Sequence, residues 1–342
     1  MSESIQAETC VLVTGGAGFI GSRFVRMLLE ETDYSVVVLD ALTYAGDRRR
    51  LDGLDAGRLT FVGGDICDAE LVAELFRTHK FDAVVNFAAE SHVDRSIADP
   101  SVFVRTNVLG TQVLLDATLD AWRTRGALLV EGASPDASRD DGGVRFIQVS
   151  TDEVYGSLGD DEAPPTEESP LRPSSPYSAS KAAADLLVQS YGKTYGFPFC
   201  ITRGSNTYGP GQHPEKFIPH SIEAVLRGEP VSVYGDGRNV RDWLHVDDHC
   251  RAILAVLLHG CAGGVYNIGG GHCLSNNEVA RCTLELAGAP SGNVRYVADR
   301  PGHDLRYAMD CSKIHAELGW LPQVPFEDGL ARTFEWCRVL NV

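Results

Sequence analysis

Cys10-Val11-Leu12-Val13-Thr14-Gly15-Gly16-Ala17-Gly18-Phe19-Ile20-Gly21 is the stretch that decides the fold. Its first five residues are a short, β-prone apolar run. Gly15, Gly18 and Gly21 then give G-x-x-G-x-x-G, and Phe24, Val25, Leu28 and Leu29 continue at helical spacing. Strand, glycine turn and helix in that order form a phosphate cradle. The turn is tight, the backbone can approach a pyrophosphate closely, and the helix N-terminus holds the anion. A glycine pattern alone is weak; its place between strand and helix gives it weight. Phe19 and Ile20 lie inside the motif and are expected against the dinucleotide.

The next strands fit the same reading. Ser35 to Leu39 ends at Asp40, whose carboxylate would bind the adenosine ribose and repel a 2′-phosphate, favouring NAD over NADP. Arg48-Arg49-Arg50 weakens that slightly but reads as a solvated helix face. Leu59 to Val62 leads to Asp65 and Ile66, placed for the adenine amino group and ring. Ala83 to Phe87 leads to Ala88 and Ala89, small enough to let a cofactor pass closely. Strands alternating with helices predict an α/β fold, a doubly wound parallel Rossmann sheet with ligands at the strand ends. Asp99 to Trp122 reads as one long helix. Its polar Asn107 is either a surface residue or a brace near the site. Residues 131–143 read as a flexible surface insertion with no chemical role.

The chain has 342 residues, enough for one large domain or two lobes sharing a core, and its 44% hydrophobic content can fill that core. A net charge of −17 argues against nucleic-acid or anionic-membrane partners, but leaves room for a small anion at a local basic cluster. The nine cysteines are scattered and never form C-x-x-C, the usage of a reduced, cytoplasmic chain. Met1 to Thr9 is polar, so no signal peptide is expected, and no apolar run approaches the ~20 residues of a membrane span.

The chemistry concentrates in two places. A strand from Val144 to Val149 delivers Ser150-Thr151-Asp152-Glu153-Val154-Tyr155-Gly156. Adjacent acids straight after a buried-looking strand are unusual, because an unpaired buried carboxylate is costly. Read alone, they equally suit a helix start. Further on, Ser174-Ser175-Pro176 precedes Tyr177 and Lys181, which share one helix face at i, i+4. An ammonium beside the phenol is expected to lower its pKa and favour the phenolate as a base. His245 and His249 are also i, i+4, beside Asp247 and Asp248, but no Glu follows His245 as in zinc hydrolases, so no metal is expected.

With these residues in place, the chain resembles the extended short-chain dehydrogenases/reductases and, more narrowly, the dTDP-glucose 4,6-dehydratases. The resemblance rests on Ala88 to Ser96, Thr151 to Gly156, Tyr177 to Lys181, Pro214 to Lys216, Arg241 to Trp243 and Pro301 to Asp304. It runs from about Val11 to Thr333. The Asp152-Glu153 pair is its specific part, since related epimerases usually lack it. The resemblance implies that Tyr177 takes the proton of a hexose 4-hydroxyl while hydride leaves C4 for NAD, with Thr151 holding the oxygen. Glu153 then removes the C5 proton, Asp152 protonates the departing 6-hydroxyl, and hydride returns to C6. NAD ends as it began and should stay tightly bound.

The resemblance also implies a nucleotide-diphosphate hexose contacted by Ser91, Asn206 and Lys216. Tyr234 would stack on the base, Arg241 clamp the diphosphate, and Arg300 and His303 complete the clamp. Gly204 and Thr207 depart from the commoner pattern, which has a larger residue and Asn there, and they bear on the pocket's details. Residues 1–203, with 243–267 returning, are expected to bind NAD, and 204–242 with 268–342 to bind the sugar nucleotide. The strand at Val265 to Ile268 is read as opening the smaller lobe. A homodimer through the helices near 99–122 and 177–195 is implied. Two rivals compete: another short-chain enzyme on a UDP- or other NDP-sugar (an epimerase, a decarboxylase or a different dehydratase), and a non-catalytic NAD-binding regulator. Asp152 and Glu153 argue against an epimerase or a decarboxylase, and the intact set from Thr151 to Lys181 argues against the regulator.

Overall fold

The computed structural model describes residues 9–124, 145–299 and 302–340. The insertion expected at 131–143 and Arg300 lie outside the described residues. The first six strands are β1 (Cys10–Thr14), β2 (Ser35–Asp40), β3 (Leu59–Gly63), β4 (Ala83–Asn86), β5 (Arg145–Thr151) and β6 (Phe199–Gly204). Three further strands, β7 (Asn206–Tyr208), β8 (Val231–Tyr234) and β9 (Val240–His245), belong to smaller sheets, and β10 (Gly264–Ile268) returns to the first. The main sheet has seven strands, all parallel, in the order β3-β2-β1-β4-β5-β6-β10. The chain order reverses between β1 and β4, the switch point where such sheets bind ligands.

Helices cover both faces, which is why the strands are continuous apolar runs rather than alternating ones. The helices before β10 are α1 (Phe19–Glu31), α2 (Ala69–Thr78), α3 (Val93–Ala98), α4 (Pro100–Phe103), α5 (Thr111–Thr124), α6 (Pro176–Tyr195), α7 (Phe217–Leu226) and α8 (Val246–His259), of which α7 packs in the smaller lobe. On one face Phe24 and Leu28 of α1 meet Ile253 and Val256 of α8 over Val11 and Val13. On the other, Leu75, Leu115, Trp122 and Val188 from α2, α5 and α6 cover Leu12, Val84 and Phe146. Each such side chain contributes about 1.5–3 kcal/mol by leaving water.

Two expectations change here. The stretch from Asp99 to Trp122 is not one regular helix: α4 passes into a π-helical segment, Val104–Gly110, before α5. The wider turns rotate Asn107 into the interior, where it is 1% exposed, and leave Val104 and Leu109 outside. The strand at Val265 to Ile268 does not open the smaller lobe. Because α8 carries the chain back onto α1, β10 pairs with β6 at the edge of the main sheet.

The remaining elements are β11 (Cys273–Ser275), β12 (Val294–Val297), α9 (Asn276–Leu286), α10 (Ser312–Leu318) and α11 (Phe326–Leu340). β9 lies between β11 and β7 in a three-stranded sheet, and β8 pairs with β12. Tyr208, Ile218, Trp243, Val279 and Phe326 form a separate apolar core beneath them.

Candidate active site

The glycine turn between β1 and α1 is dictated by close approach. Gly15 has φ +67°, and a β-carbon on it would stand 2.7 Å from the Ala88 nitrogen across the switch point. One on Gly21 would stand 2.2 Å from the Gly15 carbonyl. Gly18 caps α1 without a side-chain acceptor, so the first helical N–H groups are presented to a ligand. A buried polar chain crosses the sheet below. Thr14 Oγ1 donates to Asn86 Oδ1 (2.6 Å), and Asn86 Nδ2 donates to Gln148 Oε1 (2.9 Å), tying β1, β4 and β5 together.

A cleft of about 360 Å³ lies at these strand ends. Gly15, Gly18, Phe19, Ile20, Gly21 and Asp40 line one end of it, with Asp65, Ile66, Ala88, Ala89 and Ser91 alongside. Asp40 is held rigidly: it accepts from the Ala17 and Leu42 nitrogens, both at 2.8 Å. The three arginines after it are engaged elsewhere. Arg48 lies over the Phe61 ring and Arg49 pairs with Asp47. Arg50 is not on a solvated face; it lines the cleft and donates to the carbonyls of Ala17, Ala45 and Gly211. Its donors are thus on backbone oxygens.

Thr151, Asp152, Glu153, Tyr177 and Lys181 line the other end of the same cleft. β5 stops at Thr151, and Asp152–Tyr155 makes one 3₁₀ turn. Thr151 caps that turn: its Oγ1 accepts from the Glu153 nitrogen and donates to Asp152 Oδ1, both at 3.2 Å. The two acids are therefore helix-start residues and cleft residues at once. Asp152 is 3% exposed, and its Oδ2 has no hydrogen-bond partner. Burial, then the neighbouring carboxylates of Glu153 and Asp242, hold its pKa well above the usual carboxylate range, so it keeps its proton.

Helix α6 starts where it does because Ser175 and Ser178 form a reciprocal cap and Pro176 fits its first turn. That places Tyr177 at the cleft and Lys181 one turn below. The expected Lys181 effect on the phenol is not what this geometry gives. Lys181 Nζ donates to the Val149 carbonyl at 2.7 Å, while the phenol faces the acids. Burial and the Glu153 charge push the Tyr177 pKa up, opposed by a hydrogen bond with Thr151. Burial lowers the Lys181 pKa to about 8, with Asp185 working the other way.

Residues that sequence reasoning passed over support this wall. Arg203, 1% exposed, donates from Nε to Asp185 Oδ2 (3.0 Å) and from Nη1 to Tyr155 Oη (2.8 Å). Asp185 stands four residues after Lys181, a spacing that could have signalled the link. Asn107 settles as a brace: it accepts from the Glu90 nitrogen and donates to the Glu90 carbonyl and Ser180 Oγ. At the mouth, Glu215 lies 3.5 Å from His92, 3.6 Å from Arg95 and 3.7 Å from His213. No local pattern joins those residues.

Of the residues expected at the sugar nucleotide, Ser91, Asn206 and Lys216 line the cleft. Lys216 Nζ donates to the Ser91 carbonyl (3.1 Å), and Asn206 Oδ1 is buried without a hydrogen-bond partner. Tyr234, Arg241 and His303 are not on the cleft wall. Tyr234 and His303 meet edge to face at 6.2 Å, and His303 Nδ1 is 2.6 Å from Asp299. Arg241 donates to the carbonyls of Val240, Leu305 and Asp304 and lies over the Tyr307 ring. Its guanidinium is thus engaged by backbone oxygens rather than presented to the cleft. Among the described residues no group of His, Cys, Asp and Glu is arranged to hold a metal ion. No helix among them is long and apolar enough to cross a membrane.

A family model described as GDP-mannose 4,6 dehydratase matches residues 12–333. The low-salt glycan biosynthesis protein Agl12 of Haloferax volcanii is 54% identical over 94% of this chain and 96% of its own length. A dTDP-glucose 4,6-dehydratase of Streptomyces niveus is 51% identical over 96% of this chain and 92% of its own. Among solved structures, DesIV of Streptomyces venezuelae, a dTDP-glucose 4,6-dehydratase with NAD and TYD bound, matches with a TM-score of 0.87 at 53% identity, covering 97% of each chain. A glycine turn, an acid at the end of β2 and a paired Asp-Glu on one cleft agree with those matches: the chain belongs to the dTDP-glucose 4,6-dehydratase family of extended short-chain dehydrogenases/reductases.

Proposed function

We propose that this protein is a hydro-lyase that converts dTDP-glucose to dTDP-4-keto-6-deoxyglucose, for deoxysugar synthesis. The observation that carries this reading is Asp152 and Glu153 side by side on the wall that also holds Thr151 and Tyr177. Two carboxyls with different environments can act as acid and base in one site. NAD, when bound, takes the C4 hydride and gives it back at C6. Tyr177, its phenol proton already lost to solvent under the pull of the positive nicotinamide ring that would lie beside it, would take the proton of the 4-hydroxyl, and Thr151 would hold that oxygen as it becomes a ketone. Glu153 removes the C5 proton that the ketone acidifies. Asp152, protonated beforehand, gives its proton to the departing 6-hydroxyl, which leaves as water. Lys181 fixes the floor beneath Tyr177 through the Val149 carbonyl.

The glycine turn with Phe19 and Ile20 takes the pyrophosphate end of NAD, Asp40 the ribose, Asp65 and Ile66 the adenine, and Ala88 and Ala89 leave it room. Ser91, Asn206 and Lys216 contact the sugar nucleotide, a role supported by the unmet acceptor on Asn206. Tyr234 and His303, which meet one another away from the cleft wall, are assigned with Arg300 to the base and diphosphate. Arg241, whose donors rest on backbone carbonyls, is assigned to the diphosphate with them. In this reading 1–203 with 243–267 hold the cofactor, and 204–242 with 268–342 the substrate. A homodimer is supported by the exposed Val102, Val104, Leu109 and Leu186 on the α4, π-helical and α6 faces, and a cytoplasmic setting by the scattered free cysteines.

Incubation with dTDP-glucose deuterated at C4 tests the reaction. Deuterium at C6 of the product is expected. Binding of NAD without any transfer would refute it, and a parallel run with UDP-glucose checks the base.

A further inference from the structure

The two departures from the family pattern, Gly204 and Thr207, meet at one side chain. Gly204 ends β6 opposite Thr151 in the β5–β6 register. A β-carbon at 204 would stand 2.5 Å from His249 Cε1 and 2.6 Å from its Nε2. The imidazole therefore occupies the volume that any larger residue at 204 would fill. His249 lies in the first turn of α8, is 2% exposed, and lines the cleft with Gly204, Ser205 and Lys181.

Its tautomer follows from Thr207. His249 Nδ1 and Thr207 Oγ1 are 2.8 Å apart, and the Thr207 hydroxyl donates to the Ser205 carbonyl at 3.1 Å. With its one proton on that carbonyl, the hydroxyl accepts from the ring, and this arrangement assigns the hydrogen to Nδ1. Burial lowers the ring's pKa to about 4, so it is neutral near pH 7. Nε2 is then an acceptor, and it is buried with no hydrogen-bond partner. Because the ring also lines the cleft, this acceptor is placed where a donor on a bound molecule can meet it.

We propose that His249 is a cofactor-positioning residue whose Nε2, on the cleft wall, accepts from the nicotinamide carboxamide NH₂. The inference rests on the NAD reading above. The reacting end of the dinucleotide must lie beside Thr151 and Tyr177, and neighbouring strands are about 4.8 Å apart. At that end the cofactor's N–H donor is its carboxamide. Thr207 sets the tautomer, so the two departures form one device: Gly204 admits the ring and Thr207 aims its lone pair.

Equilibrium displacement of labelled NAD from the full-length protein, by NAD or by 3-acetylpyridine adenine dinucleotide, tests this. The analogue has a methyl group in place of the amide nitrogen. The native protein should bind NAD roughly ten-fold more tightly than the analogue, the effect of one buried hydrogen bond. Gly204→Ala, which drives the ring away, and His249→Phe should bring that ratio towards one, while His249→Gln, which restores an acceptor, should recover part of it. Equal affinities in the native protein overturn the proposal whatever the variants do. So does an unchanged ratio in the folded variants with a raised KM for dTDP-glucose, which would turn the ring towards the sugar. Failure of the dehydratase reading is separate: it appears as no deuterium transfer, whatever the preference between cofactors.

Discussion

Asp152→Asn should make the protein more stable near neutral pH and stop its reaction after the first step. Asp152 is sealed from water, with one oxygen hydrogen-bonded to Thr151 and the other without a partner. Burial and the Glu153 and Asp242 carboxylates raise its pKa well above the unfolded value, which is about 3.9. Between those two pKa values the folded state keeps a proton that the unfolded chain releases. Stability therefore falls as pH rises through the window, beginning just above pH 4 and ending at the folded pKa. Each pH unit inside it costs about 1.4 kcal/mol. Near pH 7 this is a penalty that Asn, of the same shape but uncharged, does not carry. Urea unfolding of both proteins at pH 4 and pH 7 measures this. The Asn variant should match the native protein at pH 4 and exceed it at pH 7. A difference that does not change with pH, or a variant less stable at pH 7, refutes the reasoning. In the reaction, loss of the acid should lower kcat by about 10²–10⁴. C4 oxidation should survive, so absorbance of reduced cofactor should build up and persist on adding dTDP-glucose.

Glu153→Gln should bind NAD as the native protein does but lose solvent-deuterium exchange at C5; exchange at the native rate would move the base elsewhere. Arg203→Met leaves the Asp185 carboxylate buried without its guanidinium and should cost about 3–5 kcal/mol in urea unfolding. Arg203→Met with Asp185→Leu should recover most of that, and failure to recover would mean lost packing rather than an unpaired charge. Lys181 has a folded pKa lowered to about 8 from an ordinary 10.5, so between those values the unfolded chain binds a proton the folded one does not. The thermal midpoint of the cofactor-free protein should carry a stabilising contribution that grows from pH 8 to pH 10, and Lys181→Met should remove it. Parallel curves for the two proteins would mean that the ammonium is not desolvated.

Much of the site was legible because its signals are local. The glycine spacing requires a close backbone approach, which Gly15 and Ala88 make. Asp40 follows a strand by simple succession, and Ser175, Pro176 and Ser178 start a helix by their own chemistry. The partners of Arg203, Asn107 and Glu215 were not legible, because each meets groups brought from distant parts of the chain. Arg241 shows the limit from the other side. Its motif suggested a phosphate, whereas its donors here rest on backbone carbonyls that no local pattern reveals.

The parallel sheet, the dinucleotide turn and the identity of the acid pair can be read from short stretches, since periodicity, glycine spacing and residue chemistry are local properties. How those groups ionise depends on the folded chain. It took water from Asp152 and set Glu153 and Asp242 beside it, so that the carboxyl keeps its proton. It turned Lys181 to the Val149 carbonyl rather than to the phenol. It also put the His249 ring where Gly204 has no side chain. Protonation and tautomer depend on burial and on which charges stand within a few ångströms, and those distances exist only once strands far apart in the chain are side by side.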